Sequence, residues 1–335
     1  MARRAKITGT GMYVPERVVT NDDLAKLMDT SDEWIQQRSG IQERRYIEAG
    51  QTPADLARTA SERALAAAEL EAGDIDCIVL ATLSPQADFP GTSFFLQDRL
   101  GAGDTPCFDV RAQCSGFGYS LAVAKSFVEA GQFRRVLVVG CEVHSTGIDL
   151  TDEGRDVAVL FGDGAGAVVL EANEDDADTS ALLEVRLHAE GQHAEKLWVE
   201  APGSGFTPTR ITHEMIDARR HFPRMEGRFV FKHAVTRMPE VLFEALNAAS
   251  LKLDDVDLFL FHQANLRINE FVAQQLEIPP EKCLNNIQRY GNCSAASIPI
   301  LLDEAVREGR LRRGQLVAMT TFGSGFSWSS ALARF

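Results

Sequence analysis

The sequence predicts an α/β protein made of two related halves, each a sheet covered by helices. Three observations carry this. Apolar runs of strand length, such as CIVLAT (77–82) and VLVVGCEV (136–143), alternate with helix-length amphipathic stretches. DIDCIVLAT from 74 is matched by DVDLFLFHQ from 255, each after a helical stretch. Both halves close on a glycine turn that runs into a strand, FGDGAGAVVL from 161 and FGSGFSWSSAL from 322. A polar, acidic stretch at 173–180 separates them, so the halves are taken as 1–172 and 181–335. An internal duplication brings equivalent strand ends to one pseudo-two-fold axis, so a site should draw residues from both halves.

Composition bounds the function. The 335 residues are 45% hydrophobic, ample for a buried core and unlike a disordered chain. The formal net charge of −14 disfavours nucleic acid as a general partner, although a local basic patch can still receive an acidic protein. The six cysteines (77, 107, 114, 141, 283, 293) form no C-x-x-C pair and no zinc spacing with histidine. No metal site is expected, and the thiols read as the reduced set of a cytoplasmic protein. The basic start lacks a long apolar run, so it is not read as a signal peptide, and no run approaches the ~20 residues of a membrane span.

Taken in order, residues 5–12 read as a first strand and 21–28 as a short helix with Asn21 as its cap. Ser31 starts a capped helix with Trp34 and Arg38 on one face, an ordinary amphipathic end or a pair able to sandwich an adenine. The alanine-rich stretch 52–70 is a helix, stopped by Gly73, and the strand 77–82 follows. Phe89, apolar between Asp88 and Pro90 in a loop, is expected to face a pocket or a second subunit. The glycines of 161–172 are read as close packing between strands, because no helix follows them to make a phosphate loop.

The stretch DVRAQCSGFGYSLAV (109–123) organises the rest. An extended piece, 107–110, leads into it, and Phe117, Leu121, Ala124 and Phe127 then fall on one helical face. Cys114 sits at the junction, where the helix start favours a thiolate. A buried structural cysteine is an equal reading of this stretch alone. In the second half His262 lies at the carboxyl end of an apolar strand, the usual edge for chemistry in α/β sheets, and Asn265 and Arg267 follow. RYGNCSAASIPILLDEA (289–305) occupies the place that the Cys114 helix holds in half one, with Asn292 read as standing in for the nucleophile and small residues at 294–297. A Cys, a His and an Asn at matching ends of a duplicated fold favour the catalytic reading.

Those stretches, together with NDDLAKLMDTSDEWIQQRSGIQER, LDEAVREGR and FGSGFSW, resemble β-ketoacyl-[acyl-carrier-protein] synthase III of the thiolase superfamily over nearly the whole chain. The resemblance implies a thiolase-like duplicated αβαβα fold in a homodimer. It implies Cys114 as the acyl-accepting nucleophile, with His262 and Asn292 serving decarboxylation. Trp34, Arg38, Arg155 and Asn265 match coenzyme A contacts, Arg267 a carrier-protein contact, and Phe89 a residue that reaches the neighbouring subunit's acyl pocket. The reaction it implies is decarboxylative Claisen condensation of an acyl-CoA starter with malonyl-acyl carrier protein in the initiation of fatty acid synthesis, with neither metal nor redox cofactor. The backbone N–H groups of Cys114 and Ser324 are the candidate oxyanion donors. A basic segment, RRHFPRMEGRFVFKHAVTR (219–237), puts Arg228 and Lys232 on one helical face and is read with Arg267 as the carrier's docking surface.

Four features depart from the family's pattern: Gln113 before the cysteine, Ser324 in place of glycine, Gln274 and Gln275 in place of lysines, and a longer 203–228 stretch. They bear on the acyl donor and the carrier. The alternatives are a related enzyme of secondary metabolism that uses malonyl-CoA, a thiolase-like hydrolase or acyltransferase, and a non-catalytic scaffold. The scaffold would need none of Cys114, His262 and Asn292.

Overall fold

The computed structural model describes residues 3–335. One sheet comprises β1 (Arg4–Tyr13), β2 (Cys77–Ala81), β3 (Cys107–Val110), β4 (Arg135–Glu142) and β5 (Gly164–Asn173), in the order β1-β5-β4-β2-β3. The other comprises β6 (Ala181–Ala189), β7 (Leu258–Phe261), β8 (Cys283–Leu284), β9 (Leu316–Gly323) and β10 (Ser327–Arg334), in the order β6-β10-β9-β7-β8. In each sheet the three strands at one end run parallel and the other two pair antiparallel. The two topologies are therefore the same.

Strand alternation explains the layering, because neighbouring side chains point to opposite faces. Val79, Val136 and Val138 share one buried cluster with Leu258, Leu260, Val317 and Met319 of the other sheet. Between the sheets, that cluster takes in Phe117, Leu121 and Val128 of the Gly116–Glu129 helix and Ile298, Leu301 and Leu302 of the Ser297–Arg307 helix. The intervening residues Ile78, Leu80 and Leu137 pack outward against Leu56, Ala60 and Ala64 of the Pro53–Ala67 helix. Phe259, Phe261 and Ala318 do the same against Met238, Leu242 and Ala245 of the Gly227–Ala248 helix. Strands covered on both faces are apolar at every position, which is why these runs do not alternate with polar residues. The result is five layers, helix–sheet–helix–sheet–helix, as the sequence predicts.

The repeated Asp-x-Asp is structural. Asp76 accepts the backbone N–H groups of Arg134 and Arg135 at 2.8 Å, and Asp257 accepts that of Leu316 at 2.8 Å. Each aspartate thus pins the start of the neighbouring parallel strand.

Three details differ from expectation. The early helix spans Asn21–Ala25 and Thr20 caps it, while the Asn21 side chain is buried and donates to Asp32 and to the Ile41 carbonyl. The glycines after Phe161 make room for a helix rather than for strands: a methyl on Gly166 would lie 2.7 Å from the backbone of Pro299 and Ile300. Cys114 has Ala295, not Asn292, as its counterpart. The one-turn 3-10 helices Gln113–Ser115 and Ser294–Ala296 each open with a residue of positive φ, 46° and 42°, and each leads into a central helix.

Candidate active site

The parallel strands set the site. β2, β4, β7 and β9 all end on the same edge of their sheets, and the turns after them converge. Cys114 comes from the turn after β3 and His262 directly from the end of β7. Gly323, the last residue of β9, lies so close to Cys114 that a methyl there would be 2.7 Å from the cysteine Cβ. Asn292 is held by its backbone, which donates to the Leu160 carbonyl at 2.7 Å and accepts from Gly162 at 3.1 Å.

These residues share one cavity of about 760 Å³. Its floor holds the buried Cys114, His262 and Asn292, with Phe322 and Gly323. Its rim carries Trp34, Arg38, Asn265, Arg228 and Arg267, of which the three arginines are exposed. The cavity therefore runs from a cationic mouth to a floor of buried side chains. Arg38 and Arg155 both lie over the Trp34 ring, at 4.2 and 4.9 Å from its centroid, although Arg155 is not in the lining. Asn265 caps the Leu266–Gln275 helix, accepting from the Arg267 N–H, and donates to the Arg38 carbonyl at 2.8 Å. Its side chain ties the two rim elements together.

At the floor, burial dominates the electrostatics. It pushes the Cys114 thiol up to about 12, opposed by a hydrogen bond to Ser294 and by the backbone N–H groups of Cys114 and Ser324. The expected preference for thiolate at the helix start is outweighed by this desolvation. His262 is pushed down to about 3 by burial, with His144 adding to the effect, so its ring is neutral. Neither ring nitrogen of His262 has a partner among the described residues. Asn292 accepts the Ser294 N–H through Oδ1 at 2.8 Å, which leaves its amide N–H groups free to donate.

Two residues behind the floor escaped the reading of the sequence. His144, just past the end of β4, places Nε2 3.0 Å from Ser294 Oγ, and Ser294 Oγ lies 3.6 Å from Cys114 Sγ. Glu142, the last residue of β4, is fully buried and accepts from Thr82, Leu83, Ser84 and Ala295, and burial raises its carboxyl to about 7. The signal was available, since both sit at the same strand edge that singled out His262.

Phe89 and the basic segment lie elsewhere. Phe89 is 82% exposed and outside the cavity. Of the six cations at 219–237, four are engaged within the chain: Arg219 with Asp149, Arg220 with Glu200, Arg224 with the Ala218 carbonyl, and Arg237 with Glu190 and Glu240. Arg228, Lys232 and Arg267 are exposed and make no ion pair among the described residues. The free basic surface is these three residues, not the whole segment.

Residues 108–191 match the family model described as 3-Oxoacyl-[acyl-carrier-protein (ACP)] synthase III, and residues 246–335 match that of its C-terminal domain. The chain is 47% identical over 332 residues to the Xanthomonas campestris protein named β-ketoacyl-[acyl-carrier-protein] synthase III, covering 99% of this chain and 98% of that one. It is also 47% identical to the protein of the same name from Roseiflexus castenholzii, covering 100% and 99%. The crystal structure of 3-oxoacyl-[acyl-carrier-protein] synthase III from Aquifex aeolicus superposes with a TM-score of 0.89 at 45% identity, covering 99% of this chain and 100% of that one.

Proposed function

The chain belongs to the β-ketoacyl-[acyl-carrier-protein] synthase III family, and from that premise we propose how its own residues divide the reaction. It is an acyltransferase that condenses an acyl-CoA starter with malonyl-acyl carrier protein through an acyl-cysteine, at the initiation of fatty acid biosynthesis. The observation that supports the division is one cavity whose floor holds Cys114, His262 and Asn292 beneath a cationic mouth.

Cys114 Sγ attacks the acyl thioester carbonyl, and the oxyanion accepts from the N–H groups of Cys114 and Ser324. Coenzyme A departs past Trp34, Arg38, Arg155 and Asn265, where the two guanidiniums on the indole form a stacking platform for the adenine. Malonyl thioester then enters. Loss of CO₂ leaves an enolate whose oxygen accepts from neutral His262 and from the Asn292 amide. A neutral imidazole with no partner among the described residues suits that role, because it donates an N–H to the enolate oxygen and is too weak an acid to protonate the enolate away. The enolate carbon attacks the carbonyl of acyl-Cys114, the carbon–sulfur bond breaks to release the 3-ketoacyl product, and the Cys114 sulfur takes up a proton to restore the thiol. Every step moves electron pairs between carbonyl carbons, sulfur and CO₂, so none calls for a metal or a redox cofactor.

The two halves, 1–172 and 181–335, supply the nucleophile and the enolate donors respectively. The carrier docks on Arg228 and Arg267, which line the cavity mouth, and on the exposed Lys232 one helical turn beyond Arg228. The exposed Phe89 enters the acyl pocket of a second copy in a homodimer. Among the described residues no helix is long and apolar enough to cross a membrane, and a cytoplasmic enzyme is the reading consistent with its free thiols. Intact-mass measurement after exposure to a panel of acyl-CoA donors tests the reading. One acyl group should add to the wild type and none to Cys114→Ala; addition to the variant would overturn it.

A further inference from the structure

We propose that Ser294 and His144 form a proton relay for Cys114, with Ser294 as a catalytic residue against the nucleophile and His144 as the positioning residue behind it. The inference rests on Cys114 being the acylated nucleophile. The geometry is a continuous line: Cys114 Sγ to Ser294 Oγ at 3.6 Å, and Ser294 Oγ to His144 Nε2 at 3.0 Å. All three residues are buried, so no bulk water competes for the proton.

Several features hold the line in place. His144 is fixed by its backbone N–H, which donates to Asp163 Oδ1 at 2.7 Å, and by its ring against Phe161, 4.5 Å between centroids. Ser294 is fixed by its own N–H on Asn292. It also has a backbone φ of 42°, an uncommon conformation for a residue other than glycine. That conformation belongs to the turn matching the nucleophile's own, so the duplicated fold sets a hydroxyl against the sulfur it must activate.

The relay answers the problem that burial creates. A thiol held near 12 is a poor nucleophile at neutral pH, and an imidazole held near 3 resists charging. Each ion alone is disfavoured by desolvation, but thiolate and imidazolium formed together across one hydroxyl offset each other. As Sγ bonds to the acyl carbon, its proton passes to Ser294 Oγ and the Ser294 hydroxyl proton passes to His144 Nε2. When the carbonyl carbon–sulfur bond to coenzyme A breaks, the proton returns through Ser294 to the departing thiolate. Protons and electron pairs balance with no further reactant.

The other titratable groups around the relay are Glu142, Asp163, Cys293 and His262. The two carboxylates already accept several donors, from Thr82, Leu83, Ser84 and Ala295 and from Ile47, His144 and Ser145, and the Cys293 thiol is pushed well up by burial. His262 feels His144 directly, so a proton held on His144 during acylation keeps His262 neutral.

The test separates the half-reactions by rapid-quench mass measurement with acetyl-CoA, in wild type, Ser294→Ala and His144→Gln. Both variants should acylate about 10²-fold more slowly at pH 7, in the range that positioned proton transfer contributes. Their rates should climb about tenfold per pH unit where wild type is flat, because hydroxide must then ionise the thiol. Once loaded at high pH, both should release CO₂ from malonyl carrier within about 3-fold of wild type, since enolate formation precedes departure of the Cys114 sulfur and both variants keep the Ser294 N–H that holds Asn292. Acylation within about 3-fold of wild type with an unchanged pH profile would overturn the relay, and so would equal loss of both half-reactions. A proton inventory of wild-type acylation in H₂O–D₂O mixtures needs no variant: a curved, two-proton response supports the relay and a linear one contradicts it. A mass gain on Cys114→Ala would instead overturn the nucleophile assignment itself.

Discussion

The one-turn helices Gln113–Ser115 and Ser294–Ala296 follow matching strands, open with positive φ and lead into paired central helices. At the middle position one carries Cys114 and the other Ala295. The second turn has not simply lost its chemistry. Its first residue, Ser294, touches Cys114, its N–H fixes Asn292, and the N–H of Ala295 donates to Glu142 at 3.4 Å. The duplicated fold therefore holds two copies of one turn, of which one carries Cys114 and the other forms its surroundings. The same contrast holds at the ends of β4 and β9, where Glu142 fills one strand end with a buried carboxylate and Gly323 leaves room for Cys114 at the other.

The largest break in this comparison is Cys114→Ala, which makes the two turns alike at their middle position. Acyl transfer should disappear, while the melting temperature stays within a few degrees, because one buried sulfur is removed and little else changes. Gly323→Ala should come next. Its methyl has no room beside Cys114, so we expect a loss of about 1–3 kcal/mol in denaturant unfolding, the usual cost of overpacking, and acylation slowed at least tenfold. A variant as stable and as active as wild type would show that the close approach is unimportant.

The pH response separates the halves in another way. The folded pKa of His262 is depressed to about 3, so its neutral form persists from high pH down towards that value. Condensation from preloaded acyl-enzyme should stay level between pH 8 and pH 5. A fall centred near 6.5 would show an ordinary exposed histidine instead. The smallest effect is expected at the mouth. Reversing Arg228, Lys232 and Arg267 to Glu should raise KM for malonyl-carrier protein several-fold. Salt should weaken the wild-type carrier reaction, because exposed charges are screened over about 8–10 Å. Carrier turnover indifferent to both would remove the docking surface.

Much of this was legible in the chain. Apolar runs between helices gave the strands, since a doubly covered sheet needs apolar residues on both faces, and the repeated Asp-x-Asp exposed the duplication. Cys114 and His262 could be placed because each ends or follows a strand on the edge that borders the cavity. Asn292 was found with the wrong counterpart, because Ser294 looks like a small spacer in sequence and its positive φ is visible only in the backbone. His144 was missed because it sits after a buried strand without a motif around it, and its link to Cys114 passes through a residue 150 positions away. The basic segment misled for a related reason: counting cations cannot show which ones an intramolecular carboxylate has already taken.

We propose above all that half one captures the acyl group and half two makes the carbon nucleophile. The most direct measurement is the intact mass of His262→Ala protein after acetyl-CoA and then malonyl-carrier protein. The predicted result is a stable acyl mass on Cys114 that forms at close to the wild-type rate and is not discharged, with release of CO₂ reduced at least 10²-fold. Acylation reduced as severely as CO₂ release would contradict the division of labour.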